Sequence, residues 1–121
     1  MPTFWRGLFI YKPLILSRSS TFTEWQEVDG QKKKDKKKIA VKDVPIFSMA
    51  GICERYTDEN GDSYLTYAIL TTDANDQMRP IHDRMPVILD PEDEKHYLDL
   101  ESDPKEVQTL LRPTDKEIVI E

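Results

Sequence analysis

The chain has 121 residues, a formal net charge of -6, 38% hydrophobic and 33% charged residues, and one cysteine. This length fits one domain with a modest core, so we predict a single domain over residues 1–121. A lone cysteine excludes a disulfide framework, and no apolar run approaches the length of a membrane span. Because the first residues lack the pattern of a secretory signal, we expect a cytoplasmic protein. Two histidines and one cysteine offer no zinc-ligand spacing, so neither a metal nor a cofactor is expected.

The negative charge is concentrated in the last quarter of the sequence. Residues 90–121 contain eleven acidic and four basic side chains, whereas residues 1–89 contain twelve acidic and thirteen basic ones. A phosphate backbone responds to the local field of one protein face rather than to the total charge. The acidic total therefore does not exclude nucleic acid as a partner.

Strands are predicted over most of the first part of the chain. Residues 8–11 and 14–16 are rich in large apolar side chains and are predicted to be extended. Residues 22–27 are predicted to form a strand that places Glu24 and Trp25 on opposite faces, because side chains alternate along a strand.

A lysine-rich segment follows over residues 32–38, where six of the seven residues are lysine. Because like charges repel, this segment is predicted to be an extended, solvated loop. No aromatic residue is interleaved with these lysines for base stacking, which favours a solvated loop over a nucleic-acid patch. Contact of this loop with DNA stays open at this point.

A β-hairpin is predicted next. Residues 45–56 and 63–70 are rich in β-branched and aromatic side chains, and turn-forming residues 58–62 separate them. These turn residues look like part of a calcium loop, but their glycine comes too early and no glutamate follows at the required distance. Residues 63–70 carry apolar groups on both faces, so this strand is predicted to be central in its sheet.

The most informative stretch lies between a helical turn predicted within residues 71–80 and a strand predicted over residues 85–89. It places His82 and Arg84 in a polar turn beside an apolar strand. Histidine changes charge near neutral pH, and arginine offers a rigid fork for a phosphate or carboxylate. The pair predicts an acid/base group beside an anion site. A solvated or structural histidine is the competing interpretation of these residues alone.

After this strand, the sequence pattern changes from that of strands to that of helices. Asp90 followed by Pro91 is a helix start signal and predicts a helix to about Leu100, and Pro104 repeats the signal for a second short helix. Residues 118–120 are predicted to form a last strand, whose partner we expect outside this chain. Together the elements predict an α+β fold, a mainly antiparallel sheet with short C-terminal helices.

Four segments occur in a specific combination and order: Phe-Thr-Glu-Trp at 22–25, Ile-Phe-Ser-Met-Ala-Gly-Ile at 46–52, Thr-Thr-Asp-Ala-Asn at 71–75 and Ile-His-Asp-Arg-Met-Pro-Val-Ile-Leu at 81–89. Together they resemble the SRAP family, the SOS response-associated peptidase domain. The resemblance extends over about residues 14–112. It implies a role in the DNA damage response, namely recognition of abasic sites in single-stranded DNA.

The resemblance also implies roles for individual residues. Family members use an N-terminal cysteine to attack the ring-opened aldehyde of an abasic sugar, and they form a stable thiazolidine crosslink. Glu24 matches the glutamate that assists this chemistry, and His82 matches the histidine that transfers protons. Arg84 matches an arginine that binds backbone phosphate, whereas Trp25 and Thr71 match positions that line the DNA cleft. Glu24 and His82, 58 positions apart, must then share one cleft.

The sequence departs from the family pattern at the nucleophile. Residue 2 is Pro2, and Cys53 cannot replace the family cysteine because the chemistry needs a thiol and a free α-amine on one residue. The family's Cys-Gly-Arg start and Asn-Ala-Arg segment are also absent. Three interpretations follow: an incomplete SRAP-like domain of an abasic-site-processing enzyme that does not crosslink, a non-catalytic single-stranded DNA binder, or a fragment that needs an upstream segment and otherwise associates through an unpaired sheet edge.

Overall fold

The structure is a computed structural model, and it describes residues 14–28 and 34–121. The predicted extended segment over residues 8–11 lies outside the described residues. Within the described residues the elements are, in chain order, β1 Leu14–Ser19, β2 Phe22–Glu27, β3 Lys34–Val41, β4 Phe47–Thr57, β5 Ser63–Ile69, β6 Thr71–Asp73, β7 Arg84–Pro86, β8 Ile88–Leu89, α1 Pro91–Leu98, α2 Pro104–Thr109 and β9 Ile118–Ile120. Antiparallel strands with two short helices confirm the predicted α+β class.

Strand β4 is the centre of the largest sheet. It pairs with β1 along one edge, and with β8 and then β5 along the other, always antiparallel. The β4–β5 hairpin is confirmed: Asp58 Oδ1 accepts hydrogen bonds from the backbone N–H groups of Asn60 and Asp62, each at 2.9 Å. Gly61 supplies the positive φ of 82° that this turn requires.

Strand β5 is an edge strand, so the prediction of a central strand was wrong. Among the described residues it pairs with β4 alone, and Leu65 and Tyr67 are 70% and 68% exposed. Apolar groups on both faces are typical of a buried strand, but the described part of the chain provides nothing to cover these faces. Within residues 14–28 and 34–121, β5 is therefore an exposed apolar edge strand.

A second sheet has the order β2-β3-β9, and it corrects the prediction of a lysine loop. Residues 34–38 belong to β3 and pair with β2, while residues 32 and 33 lie outside the described residues. Glu24 lies opposite Lys37 and Glu27 opposite Lys34. Cross-strand pairs of opposite charge stabilise a sheet, and they offset the repulsion that had predicted a loop.

Strand β9 has a partner within this chain, contrary to expectation. It pairs with the apolar end of β3, where Ile39 lies opposite Ile120 and Val41 opposite Ile118. Two backbone hydrogen bonds between Lys38 and Glu121, of 3.1 and 2.9 Å, extend the pairing to the last residue.

The central sheet separates two cores because successive β4 side chains point to opposite faces. One core lies between the two sheets and contains Ile39, Val41, Phe47, Met49, Ala74, Met78, Met85, Ile88 and Ile118. The other lies beneath the helices and contains Ala50, Val87, Leu89, Tyr97 and Val107. Buried Tyr97 ties α1 to β4, because its hydroxyl donates a 2.6 Å hydrogen bond to the Gly51 carbonyl.

Both helices begin where the proline signals predicted. Pro91 and Pro104 occupy the first turns of α1 and α2, and the Asp103 side chain accepts a hydrogen bond from Lys105 N at 2.9 Å. Helix α1 ends at Leu98, two residues before the predicted end, since Asp99 leaves the helical conformation. In the described part of the chain, no helix has the length and apolar character needed to cross a bilayer.

The segment between β5 and α1 contains three short strands, β6, β7 and β8. Strand β6 pairs with β7, and β8 pairs with β4, so the single strand predicted over residues 85–89 is divided at Val87. The backbone of Val87 bridges the two pieces: its N–H donates to the Leu70 carbonyl, and its carbonyl accepts from Ala50 N, each at 2.9 Å. This division directs β7 away from the central sheet and toward the edge of β2.

Candidate functional site

The loop that carries His82 is fixed to the core by a helical turn. The side chain of Asn75 accepts a 2.9 Å hydrogen bond from Met78 N, and the Met78 side chain is fully buried. A second turn follows, in which His82 N donates to the Met78 carbonyl at 3.0 Å. The predicted helical turn is present, but the turns continue past Pro80, since the Ile81 and His82 N–H groups both donate to the Met78 carbonyl and no donor is needed from Pro80.

Glu24 and His82 lie side by side. His82 Nε2 is 3.8 Å from Glu24 Oε1, and both side chains are partly exposed. The inner face of β2 directs Glu24 toward the loop, and Gln26 on the same face donates a 3.0 Å hydrogen bond to the Pro80 carbonyl. A separation of 3.8 Å is too long for a direct hydrogen bond. The two groups are therefore close enough to share a third polar atom placed between them.

The backbone sets the orientation of the imidazole. His82 Nδ1 accepts a 3.2 Å hydrogen bond from Arg84 N, so the neutral ring carries its proton on Nε2, which faces Glu24. Asp83 Oδ1 lies 3.3 Å from Nδ1 and can accept a hydrogen bond when the ring is doubly protonated. A carboxylate therefore lies near each ring nitrogen, Glu24 beside Nε2 and Asp83 beside Nδ1.

Arg84 is held by the neighbouring strand. Its guanidinium donates to Asp73 Oδ1 at 2.9 Å, to the Thr71 carbonyl at 2.9 Å and to Thr71 Oγ1 at 3.1 Å. A guanidinium has five N–H donors, so two remain for another acceptor. Asp73 is 85% exposed, and the pair lies at the surface. The arrangement pre-orients Arg84 without using up its capacity to bind an anion.

Trp25 lies on the outer face of β2 and is 49% exposed. It borders an open pocket of about 350 Å³ at the edge of β2, lined by Trp25, Glu27, Lys34, Pro80, Ile81, His82 and Asp83. The pocket therefore joins the indole to the imidazole, although Glu24 projects from the opposite face of the strand. All five residues predicted for the site lie in one contiguous region, and their individual roles stay predictions.

Some neighbours of the site were not predicted from the sequence. Asp73, which orients Arg84, and Lys34, which lines the pocket, both belong to short strand pairings. Trp25 lies directly opposite Lys36, so an aromatic residue does stand among the lysines once β2 and β3 are paired. The available signal was the charge complementarity between residues 22–27 and 34–39, which favours an antiparallel pair.

The site brings together side chains that are chemically able to transfer protons and one that is able to bind an anion. A carboxylate and an imidazole face each other, and a guanidinium lies two residues away along the chain. Cys53 lies in β4, opposite Tyr67 of β5. Among residues 14–28 and 34–121, no group of three or more His, Cys, Asp or Glu side chains could hold a metal ion.

An antiparallel α+β fold with this acid/base and anion site matches one family. The SRAP family, described as SOS response associated peptidase, matches residues 3–120, and the chain belongs to it. The abasic site processing protein YoqW of Bacillus subtilis strain 168 is 39% identical over 109 residues, which are 86% of this chain and 48% of that protein. The abasic site processing protein HMCES of Xenopus tropicalis is 30% identical over 112 residues, or 78% of this chain and 33% of that protein.

Solved structures agree with this assignment. A crystal structure of a protein from Bacteroides thetaiotaomicron has a TM-score of 0.83 at 32% identity, and the match covers 96% of this chain and 55% of that one. A protein from Bordetella bronchiseptica has a TM-score of 0.77 at 21% identity, with coverage of 95% and 56%, and supports the fold alone. The chain thus spans about half the length of these structural neighbours, and half or less of the two relatives.

Proposed function

We propose that this chain recognises abasic sites in single-stranded DNA and that Glu24 and His82 act on the abasic sugar. The observation that carries the proposal is the 3.8 Å approach of His82 Nε2 to Glu24 Oε1, beside Arg84. The names of the relatives point to the same substrate. Protein acids and bases of this kind accelerate proton transfer by about 10²–10⁴-fold.

An abasic sugar is a cyclic hemiacetal, and its opening moves two protons. The anomeric hydroxyl loses a proton to a base, the bond between the anomeric carbon and the ring oxygen breaks, and the ring oxygen gains a proton. Glu24, as the carboxylate, serves as the base, and His82, with protons on both ring nitrogens, serves as the acid and donates its Nε2 proton. The anomeric and ring oxygens of the sugar are bonded to one carbon, so each can lie within hydrogen-bond distance, about 2.8 Å, of one of two groups that are 3.8 Å apart. The product is the open-chain aldehyde.

The neighbouring residues position the DNA strand. Arg84 uses its two remaining donors to bind a backbone phosphate, and Thr71 lies beside it on β6. Trp25 stacks on a base next to the abasic position, since a half-exposed indole at the pocket rim offers a flat apolar surface.

We further propose that this 121-residue chain alone forms no covalent crosslink. A thiazolidine ring needs a thiol and a free amine on the same residue. The one cysteine of the sequence, Cys53, has its nitrogen within a peptide bond in the middle of β4. These 121 residues would then bind DNA without crosslinking to it.

The proposal is tested with a fluorescein-labelled single-stranded oligonucleotide that contains one abasic site, and with the same sequence undamaged. We expect fluorescence anisotropy to show tighter binding to the abasic strand, with affinity that falls as salt rises. A denaturing gel of the same mixture should show no band that resists heat and detergent. Equal affinity for the two strands would overturn the recognition proposal, and a resistant band would overturn the non-crosslinking proposal.

A second candidate role is association through β5. Its outer edge has no strand partner among the described residues, and four large apolar side chains on the hairpin are half or more exposed: Tyr56, Tyr64, Leu65 and Tyr67. Such edges pair with other polypeptides. Light scattering during size-exclusion chromatography should show concentration-dependent association that Leu65→Lys abolishes. A monomer at all concentrations would exclude self-association.

A further inference from the structure

The outer face of the β2–β3 pair carries a row of lysines. Alternation along β3 directs Ile39 and Val41 into the core, where they are 0% and 3% exposed. The side chains of Lys34, Lys36 and Lys38 point to the other face of the strand, and all three are exposed. Alternate residues of a strand are about 6.8 Å apart, so the ammonium groups follow a line rather than a single point.

Trp25 stands in the middle of this row. It lies directly opposite Lys36, with Lys38 opposite Thr23 and Lys34 opposite Glu27. The diagonal neighbours across an antiparallel pair are about 7–8 Å away, within reach of long side chains. The indole therefore has Lys36 directly across the strand pair and Lys34 and Lys38 as its diagonal neighbours on β3, and Glu27 is the only acidic side chain that β2 adds to this face.

The lysines of the row have few close counter-charges within residues 14–28 and 34–121, where Glu27 lies opposite Lys34. None of Lys34, Lys36 and Lys38 forms an ion pair with another described residue, whereas Lys42 pairs with Glu117 and Lys116 with Asp90. The protein as a whole carries a net charge of -6, so carboxylates are abundant elsewhere. A linear set of free cations around an exposed aromatic ring is the combination that binds single-stranded nucleic acid.

The row is continuous with the site. Lys34 and Trp25 line the same pocket as His82. We propose that this surface, the lysine face formed by Trp25, Lys34, Lys36 and Lys38, binds the stretch of single-stranded DNA that flanks the lesion. The lysines contact successive phosphates, and Trp25 stacks on a base. This inference rests on the proposed function and adds to it the path of the strand beyond the abasic sugar.

The test compares two triple variants of the whole chain. K34A/K36A/K38A removes the row, and K42A/K105A/K116A removes the same charge elsewhere. Each phosphate contact on a single strand contributes about -0.7 to the slope of log affinity against log salt. We expect the first variant to lower the slope by about 2 units and the affinity at 0.1 M salt by about 100-fold. The control variant should retain both values nearly unchanged.

A charge-preserving variant and a competitor complete the design. K34R/K36R/K38R should bind the abasic oligonucleotide as the unmodified chain does, and Trp25→Ala should weaken binding at every salt concentration without changing the slope. Poly-glutamate should compete far less well than unlabelled single-stranded DNA, because it offers no bases to stack.

The outcomes separate this inference from the proposed function. If both triple variants bind DNA equally, the lysine face is not the path, while a retained preference for abasic DNA leaves the proposed function standing. If poly-glutamate competes as well as DNA does, the face is a general polyanion site and the inference is wrong. If the unmodified chain binds no single-stranded DNA, both proposals fail.

Discussion

Asn75→Ala tests whether the position of His82 depends on the helical turn beneath it. Asn75 makes two side-chain hydrogen bonds: its Oδ1 accepts from Met78 N at 2.9 Å, and its Nδ2 donates to the Thr114 carbonyl at 3.2 Å. Each partly buried bond contributes about 0.5–1.5 kcal/mol. The free energy of unfolding of the variant should therefore be lower by about 1–3 kcal/mol, and its Tm should fall by about 4–12 °C.

Asn75→Ala should also weaken the preference for abasic DNA at temperatures at which the variant is still folded. Met78 O accepts from His82 N, so a loosened turn moves the imidazole away from Glu24. Calorimetry measures Tm, and anisotropy measures the preference for abasic DNA well below Tm. Asn75→Asp is the comparison variant: its carboxylate keeps the acceptor for Met78 N, but it replaces the donor to Thr114 with an oxygen that faces the Thr114 carbonyl, so it tests the two bonds separately. Unchanged Tm and unchanged DNA preference in Asn75→Ala would refute the dependence of His82 on this turn.

Two further changes test Arg84 and Tyr97. Arg84→Ala should weaken binding to abasic single-stranded DNA about tenfold and lower the free energy of unfolding by less than about 1 kcal/mol, because the Arg84–Asp73 pair is exposed. Anisotropy measures the binding, and urea denaturation measures the free energy of unfolding. Unchanged binding would contradict the role assigned to Arg84, and strong destabilisation would contradict the expectation that the exposed pair adds little stability. Burial raises the pKa of Tyr97, so the folded state favours the neutral phenol. This contribution is constant below the unfolded pKa of about 10, and above it the free energy of unfolding should fall by about 1.4 kcal/mol per pH unit. Tyr97→Phe should lack this component between pH 10 and 11 in urea denaturation, and parallel curves for the two proteins would contradict it.

Local patterns predicted the elements of the fold well. Turn residues 58–62 and the proline signals at Pro91 and Pro104 act through their own backbone, so the hairpin and both helix starts were predictable. The alternation in β2 likewise placed Glu24 and Trp25 on opposite faces. These features depend on residues that are close in sequence.

The errors concern long-range pairing. Lys34 and its neighbours form a strand because an acidic strand lies beside them, and β5 is exposed because no described element covers it. Neither fact is encoded in the segment itself. The proximity of Glu24 and His82 came from the family resemblance, since a separation of 58 residues leaves no local signal.

The most direct test of the central claim is the rate at which an abasic oligonucleotide exposes its aldehyde. An alkoxyamine probe traps the open-chain form, and its rate of reaction is measured with the unmodified chain, with His82→Ala and with His96→Ala. His96 is a close control, because it is 43% exposed against 41% for His82 and lies 3.3 Å from a glutamate of its own, Glu106. The unmodified chain and His96→Ala should accelerate trapping at least tenfold, and His82→Ala should not. Equal acceleration by the two histidine variants would contradict the assignment of His82 as the acid.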